Sequence, residues 1–153
     1  MRAREPDTCG FVERDGVRVW WERAGDGEPA ILFFHADPIV DSRMWKAQIP
    51  WFARRHTVLA YDPRGNGRSD RPTEPAAYAD DELIADALAV LDANGIERAA
   101  VVGLCQGAGV SLVLAAEHPD RVSAVVAINP GLRLTAPHVN VEIERFLARV
   151  RLR

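Results

Sequence analysis

Residues 99–109 read AAVVGLCQGAG. A short apolar run, Ala99–Leu104, meets Cys105, and small residues then open a helical pattern that continues to His118. A strand that turns this sharply into a helix brings the backbone on either side of the apex into close approach. Gly103 and Gly107 remove the Cβ atoms that would collide there. The residue at the apex, Cys105, is held in a conformation that strains any side chain but glycine. Ala108 and Gly109 let the new helix lie against the sheet. The helix start then sets free N–H groups and a partial positive charge beside the sulfur, surroundings that favour a thiolate. The spacing is that of a nucleophile elbow, G-x-S-x-G, with Cys in the Ser position. The pentapeptide alone also accommodates a buried structural cysteine at a strand end, because free Cys is among the most buried residue types.

Outward from this stretch, strand and helix signals alternate. Residues 17–23, VRVWWER, follow an Asp15-Gly16 turn and alternate partly, as an antiparallel strand does. Ala30–Phe34 is a continuous apolar run, the pattern of a strand buried on both faces, and residues 56–61 read as the next buried strand. Between them, Asp41-Ser42 caps a helix carrying Met44, Trp45, Gln48 and Ile49, which Pro50 ends or kinks. Asp80 or Asp81 caps a second helix, with Leu83, Ile84, Ala87, Leu88 and Leu91 on one face and Asn94-Gly95 as its stop. The helix after Cys105 ends at Glu117-His118-Pro119, and Val122–Ile128 is a further apolar strand closed by Asn129-Pro130-Gly131. This succession predicts an α/β fold with a doubly wound, mostly parallel sheet. In such sheets the chemistry collects at the carboxyl ends of the strands. His35, Asp62, Cys105 and Asn129 all fall there.

Bulk composition narrows the classes of partner. The chain has 153 residues, 48% of them hydrophobic, which suits a single domain over residues 1–153 with a real core. A net charge of −3 implies neither nucleic acid nor an anionic membrane as partner. Two cysteines, Cys9 and Cys105, are too few for a disulfide framework and suit a reducing, cytoplasmic compartment. Residues 1–6 lack the apolar core of a signal peptide, and no apolar run approaches the ~20 residues of a membrane span. His and Cys lie at no metal-ligand spacing, so no metal is expected. The glycines after residue 103 match neither phosphate-cradling fingerprint, so no nucleotide cofactor is expected.

Three motifs then occur in a recognisable order. His35-Ala36-Asp37-Pro38 looks like an H-G-x-P oxyanion loop. Asp62, Arg64, Gly65, Gly67 and Ser69 look like a D-x-R-G-x-G-x-S loop, and Gly103–Gly107 looks like the elbow. Over nearly its whole length the chain resembles the α/β-hydrolase superfamily. The resemblance implies acyl transfer through a covalent intermediate. Cys105 Sγ would attack an ester, lactone or thioester carbonyl of a small-molecule substrate. The Gln106 N–H would stabilise the oxyanion, with a second N–H from Ala36 or Asp37. Cys in this position is similar to the dienelactone-hydrolase branch. His35, Gly103, Gly107 and Asp62 would support the site, Asp62 as a loop-capping residue rather than an acid of the triad. Arg64 and Ser69 would hold the same loop.

The chain departs from that pattern in two places. Ala36 stands where the family usually has glycine, and its Cβ restricts the oxyanion loop. The family's acid and histidine follow the nucleophile on later loops, and no position here matches either. The expectation is a sheet truncated after about its sixth strand, lacking the cap and the last strands. Of the four histidines, His56 begins a strand, His118 ends the elbow helix at the far side of the sheet, and His35 belongs to the oxyanion loop. His138, with Glu142 nearby, is the remaining candidate base. Loss of a triad base costs on the order of a millionfold in kcat, so a catalyst of this kind acylates once and stalls. The alternative is a non-catalytic α/β-hydrolase-like module that binds a small ligand or a protein partner. Val139, Ile143, Phe146, Leu147 and Val150 share one face of a C-terminal helix. That helix either begins the family's cap or covers the apolar sheet edge left after Val122–Ile128, within one chain or between two copies in a homodimer.

Overall fold

A computed structural model describes residues 4–36 and 40–130 of the chain. Six strands are found there: β1 (Thr8–Arg14), β2 (Val17–Ala24), β3 (Ala30–Phe34), β4 (Val58–Asp62), β5 (Ala99–Leu104) and β6 (Val122–Ile128). The α-helices are α1 (Gln48–Phe52), α2 (Asp80–Ala93) and α3 (Gln106–Glu117). Short 3-10 turns lie at Ser42–Trp45 and Pro75–Tyr78.

The strands form one sheet in the order β1-β2-β4-β3-β5-β6. β1 and β2 run antiparallel, as do β2 and β4, and the remaining pairs are parallel. The fold is therefore the expected mostly parallel α/β sheet. β3 and β4 are buried at every position, as unbroken apolar strands covered on two sides must be. Leu32, Phe34, Leu59, Tyr61 and Val101 face the core shared with α2 and α3. Ile31, Phe33, Val58 and Ala60 face the opposite side, where Trp45, Ala53 and partly buried Ile49 and Phe52 cover them. The sheet is thus wound on both faces. At its far edge Val126 and Ile128 stay exposed.

Several local expectations are corrected. β1 was not anticipated. Asp15 and Gly16 both have positive φ, at 52° and 77°, the setting of a two-residue hairpin, and Arg14 pairs directly with Val17. The turn therefore calls for a strand before it as well as after. β1 pairs only with β2 and its burial is shallow, which explains its weak apolar pattern. The helix expected over residues 42–49 is instead a 3-10 turn followed by α1, separated at Lys46-Ala47. Asp41 does cap the first piece, its side chain accepting from Arg43 N–H. Pro50 lies inside α1 rather than ending it, because it falls in the first turn, where its missing N–H would have had no intrahelical partner. α2 is capped by Ala79, and Asp80, Asp81 and Glu82 occupy its first turn, where the helix dipole favours negative charge. Residues 131–153, including the expected C-terminal helix, His138 and Glu142, lie outside the described residues, and so does Asp37.

Candidate active site

The turn between β5 and α3 is as sharp as its glycines imply. Cys105 has φ 54° and ψ −115°, far from either helix or strand, a setting that costs a non-glycine residue on the order of 1–3 kcal/mol. A Cβ on Gly103 would press into the Gly107 carbonyl and come within 2.6 Å of Ala108 N. A Cβ on Gly107 would meet the His35 carbonyl group and lie 2.9 Å from Phe34 Cβ. Backbone cannot yield as a flexible side chain can, so both positions require glycine. The thiol at the apex is free and exposed. That overturns the reading of Cys105 as a buried structural cysteine. Among the described residues no side chain is hydrogen-bonded to its sulfur.

The adjoining amides are not free, as the sequence had implied. Gln106 N–H donates to the Ala36 carbonyl at 3.1 Å. Ala36 N–H donates to Met44 Sδ at 3.3 Å. Both described donors proposed for the oxyanion are therefore engaged within the chain itself. The loop that carries Ala36 is anchored further by Trp45, whose Nε1–H donates to the Phe34 carbonyl at 3.1 Å. Met44 and Trp45 thus hold residues 34–36 from one short 3-10 turn. Neither role was foreseen. Their helical spacing is explained equally well by core packing, so no sequence signal marked them. Beneath the loop lies a small, mainly apolar cavity bordered by Phe34, Tyr61, Leu83, Gln106 and Val110. Burial, aided by the Asp86 charge, raises the Tyr61 hydroxyl far above its ordinary range, so it stays protonated.

The loop after β4 closes on Asp62, which is 3% exposed. Its Oδ1 accepts from Ser42 N–H at 2.8 Å and its Oδ2 from Arg68 N–H at 2.9 Å. Its backbone carbonyl accepts from the Ser69 hydroxyl, and Ser69 Oγ accepts in turn from Trp20 N–H at 2.8 Å. Gly67, at φ 48°, leaves the space that the carboxylate fills. Asp62 is thus a loop-capping residue. It also ties this loop to the turn that carries Met44 and Trp45.

Arg64 of the same loop enters a charge cluster that sequence reasoning missed. Its Nε and one terminal nitrogen donate to the two oxygens of Asp86 at 2.7 Å each. Arg14 Nε donates to Asp86 Oδ1 at 3.1 Å, and Glu82 pairs with both arginines. Asp86 is fully buried and Arg64 nearly so. A buried carboxylate on an otherwise apolar helix face was the one available hint. The Arg14 guanidinium, and then Arg64, hold the Glu82 carboxyl below its ordinary value against the opposing pull of desolvation. The cluster ties β1, α2 and the Asp62 loop together.

Among the described residues, His56 and His118 stay away from the elbow. His56 Nδ1 lies 3.0 Å from the Pro29 carbonyl, and His118 closes the far end of α3. Among the described residues no helix is long and apolar enough to cross a membrane.

Residues 29–151 match the family described as alpha/beta hydrolase fold. Epoxide hydrolase A of Mycobacterium tuberculosis is 40% identical over 140 residues, which are 89% of this chain and 43% of that protein. The 2-hydroxymuconate semialdehyde hydrolase of a Pseudomonas species is 37% identical over 112 residues, 72% of this chain and 39% of that one. Among solved structures, a hydrolase from Pseudomonas aeruginosa superposes with a TM-score of 0.76 at 32% identity, covering 93% of this chain and 52% of the other. The chain spans less than half the length of the two curated relatives.

Proposed function

The chain belongs to the alpha/beta hydrolase fold family, and we propose that it carries the nucleophile side of a hydrolase active site, with Cys105 as the attacking residue. The observation that carries this reading is the strained, exposed apex of the β5–α3 turn. A residue held at φ 54° between two glycines that admit no Cβ is over-determined by its surroundings, and such strain clusters at sites of chemistry. The substrate class is a small molecule with an electrophilic carbonyl, such as an ester or lactone. The Cys105 thiolate adds to the carbonyl carbon, and the oxygen takes up the displaced electron pair as an oxyanion facing Gln106 N–H. Collapse of that adduct breaks the C–O bond, leaves a thioester on Cys105 and expels an alkoxide, which takes a proton from water, or a phenolate. Release of the acyl group requires a water and a base to activate it.

The test is acylation by p-nitrophenyl acetate, followed by phenolate release and intact mass. Cys9 is also an exposed free thiol, so the experiment uses a Cys9→Ser background. The expected result is one acetyl group per chain, a burst of one equivalent of p-nitrophenolate, and slow turnover afterwards. Loss of adduct and burst in Cys105→Ala supports the assignment, and an unchanged burst in that variant refutes it. The engagement of Gln106 N–H with Ala36 favours a second reading, a hydrolase-like module that binds a ligand without turning it over. In that case the Cys105 thiol stays inert toward the ester while an iodoacetamide probe still alkylates it.

A further inference from the structure

We propose that the Ala36 carbonyl is a built-in occupant of the oxyanion site, held in place by Met44, and that it must turn away before an acyl group is attacked. This rests on the reading of Cys105 as the nucleophile. The Gln106 amide, which would receive the oxyanion, instead receives a carbonyl oxygen of the chain itself at 3.1 Å. That oxygen carries partial negative charge and lies on the donor that a tetrahedral intermediate needs. The other side of the same residue is fixed as well, because Ala36 N–H donates to Met44 Sδ at 3.3 Å. The turn bearing Met44 is itself anchored. Trp45 Nε1–H bonds the Phe34 carbonyl at 3.1 Å, and Ser42 N–H bonds buried Asp62 at 2.8 Å. The loop is therefore clamped at Phe34 and at Ala36 itself, the residue whose carbonyl caps the elbow.

The energetics separate acyl chemistry from other thiol chemistry. A neutral substrate carbonyl is no better an acceptor than the Ala36 carbonyl, so binding alone gives it no advantage at Gln106. An anionic oxygen forms a hydrogen bond roughly twice as strong, so the site is claimed only as charge develops. Until then acylation is slowed by the fraction of molecules whose Ala36 carbonyl has turned aside. Alkylation develops no oxyanion and bears no such penalty. The Cβ of Ala36 adds to the effect, because glycine reaches backbone settings that alanine does not.

The experiment uses the whole chain in the Cys9→Ser background, with Ala36→Gly and, independently, Met44→Leu. Three rates are read: amide hydrogen exchange at Gln106, acylation by p-nitrophenyl acetate, and alkylation by iodoacetamide. The expected result is a protected Gln106 amide in the parent, exchange faster by about fivefold in either variant, and a similar rise in the ratio of acylation to alkylation. That factor is the worth of about one ordinary backbone hydrogen bond. A parent Gln106 amide that exchanges as fast as in the variants overturns the proposal, as does measurable acylation at equal rates in all three proteins. Protection of Gln106 that both variants release, with no acylation in any protein, supports the occupied site and refutes the hydrolase reading. Ready acylation with an unprotected Gln106 does the reverse.

Discussion

Two glycine-rich turns lie at the carboxyl ends of β4 and β5, the parallel strands that flank β3, and they are built in opposite ways. The turn after β4 is closed by side chains. Asp62 accepts from two backbone amides, Ser69 bridges to β2, and Arg64 runs into the Asp86 pair below. These three polar side chains are all engaged within the chain. The turn after β5 is closed by the backbone alone. Gly103 and Gly107 let main chain touch main chain, and the side chain at the apex, Cys105, is pushed outward. The difference teaches that glycine spacing reports close approach, not chemistry. What marks the second turn as a candidate site is a positive φ on a residue that is not glycine, with its side chain exposed.

The contrast is most severely tested by Asp86→Ala. If charge holds the β4 turn from below, the substitution leaves nearly buried Arg64 without its bidentate partner and lowers unfolding stability by about 3–5 kcal/mol. Urea denaturation measures this, and a loss below 1 kcal/mol would mean that the cluster is ornamental. Gly103→Ala probes the other turn. Its Cβ meets only backbone, so an expected cost of about 3 kcal/mol in the same assay separates closure by space from closure by charge. A well-tolerated alanine would show that the elbow has slack. A smaller effect comes from Asp62→Asn, which keeps the size of the side chain. Its amide nitrogen faces one donor and forfeits that hydrogen bond, so about 1–2 kcal/mol is lost.

The smallest expected effect is that of acid. Glu82 has its carboxyl held below the ordinary 4.5, chiefly by the Arg14 side chain. A carboxyl depressed on folding contributes stability that is complete above its unfolded value and is lost as pH falls through its folded one. The urea midpoint is therefore expected to start falling below about pH 4.5 and to continue downward, with a shallower fall in Glu82→Gln. Because Glu82 is about a third exposed, screening keeps this contribution modest. The elbow contains no carboxylate, so its part of the stability is expected to ignore the same change. A pH profile that Glu82→Gln leaves unaltered would remove Glu82 from the account.

Much of this was legible in advance, for identifiable reasons. β3 and β4 were visible because strands buried on both faces must be apolar throughout. The elbow was visible because glycine is the one residue that permits its contacts. Asp62 was read as a capping residue because a carboxylate at a strand end, followed by glycines and a serine, has nearby amides to satisfy. β1 was hidden because a shallow edge strand needs no apolar alternation. The 3-10 turn at Ser42–Trp45 was hidden inside a helical pattern, since spacing alone does not distinguish one turn that stops from a helix that continues. The Arg14–Asp86 contact joins residues 72 positions apart, and one sequence does not reveal which distant charges meet.

The sequence by itself determined the alternation of strands and helices from β2 onward and the position of the elbow. Each of these follows from local rules: apolar periodicity, capping, and the absence of a Cβ where none fits. Only the tertiary structure decided whether the amide beside Cys105 is open or occupied. That depends on where the backbone of residues 34–36 lies over α3, and on Met44 and Trp45 reaching it from a separate turn. A hydrogen bond between main-chain groups 70 residues apart, as from Gln106 to Ala36, leaves no imprint on side-chain identity, so no reading of residue types could have found it.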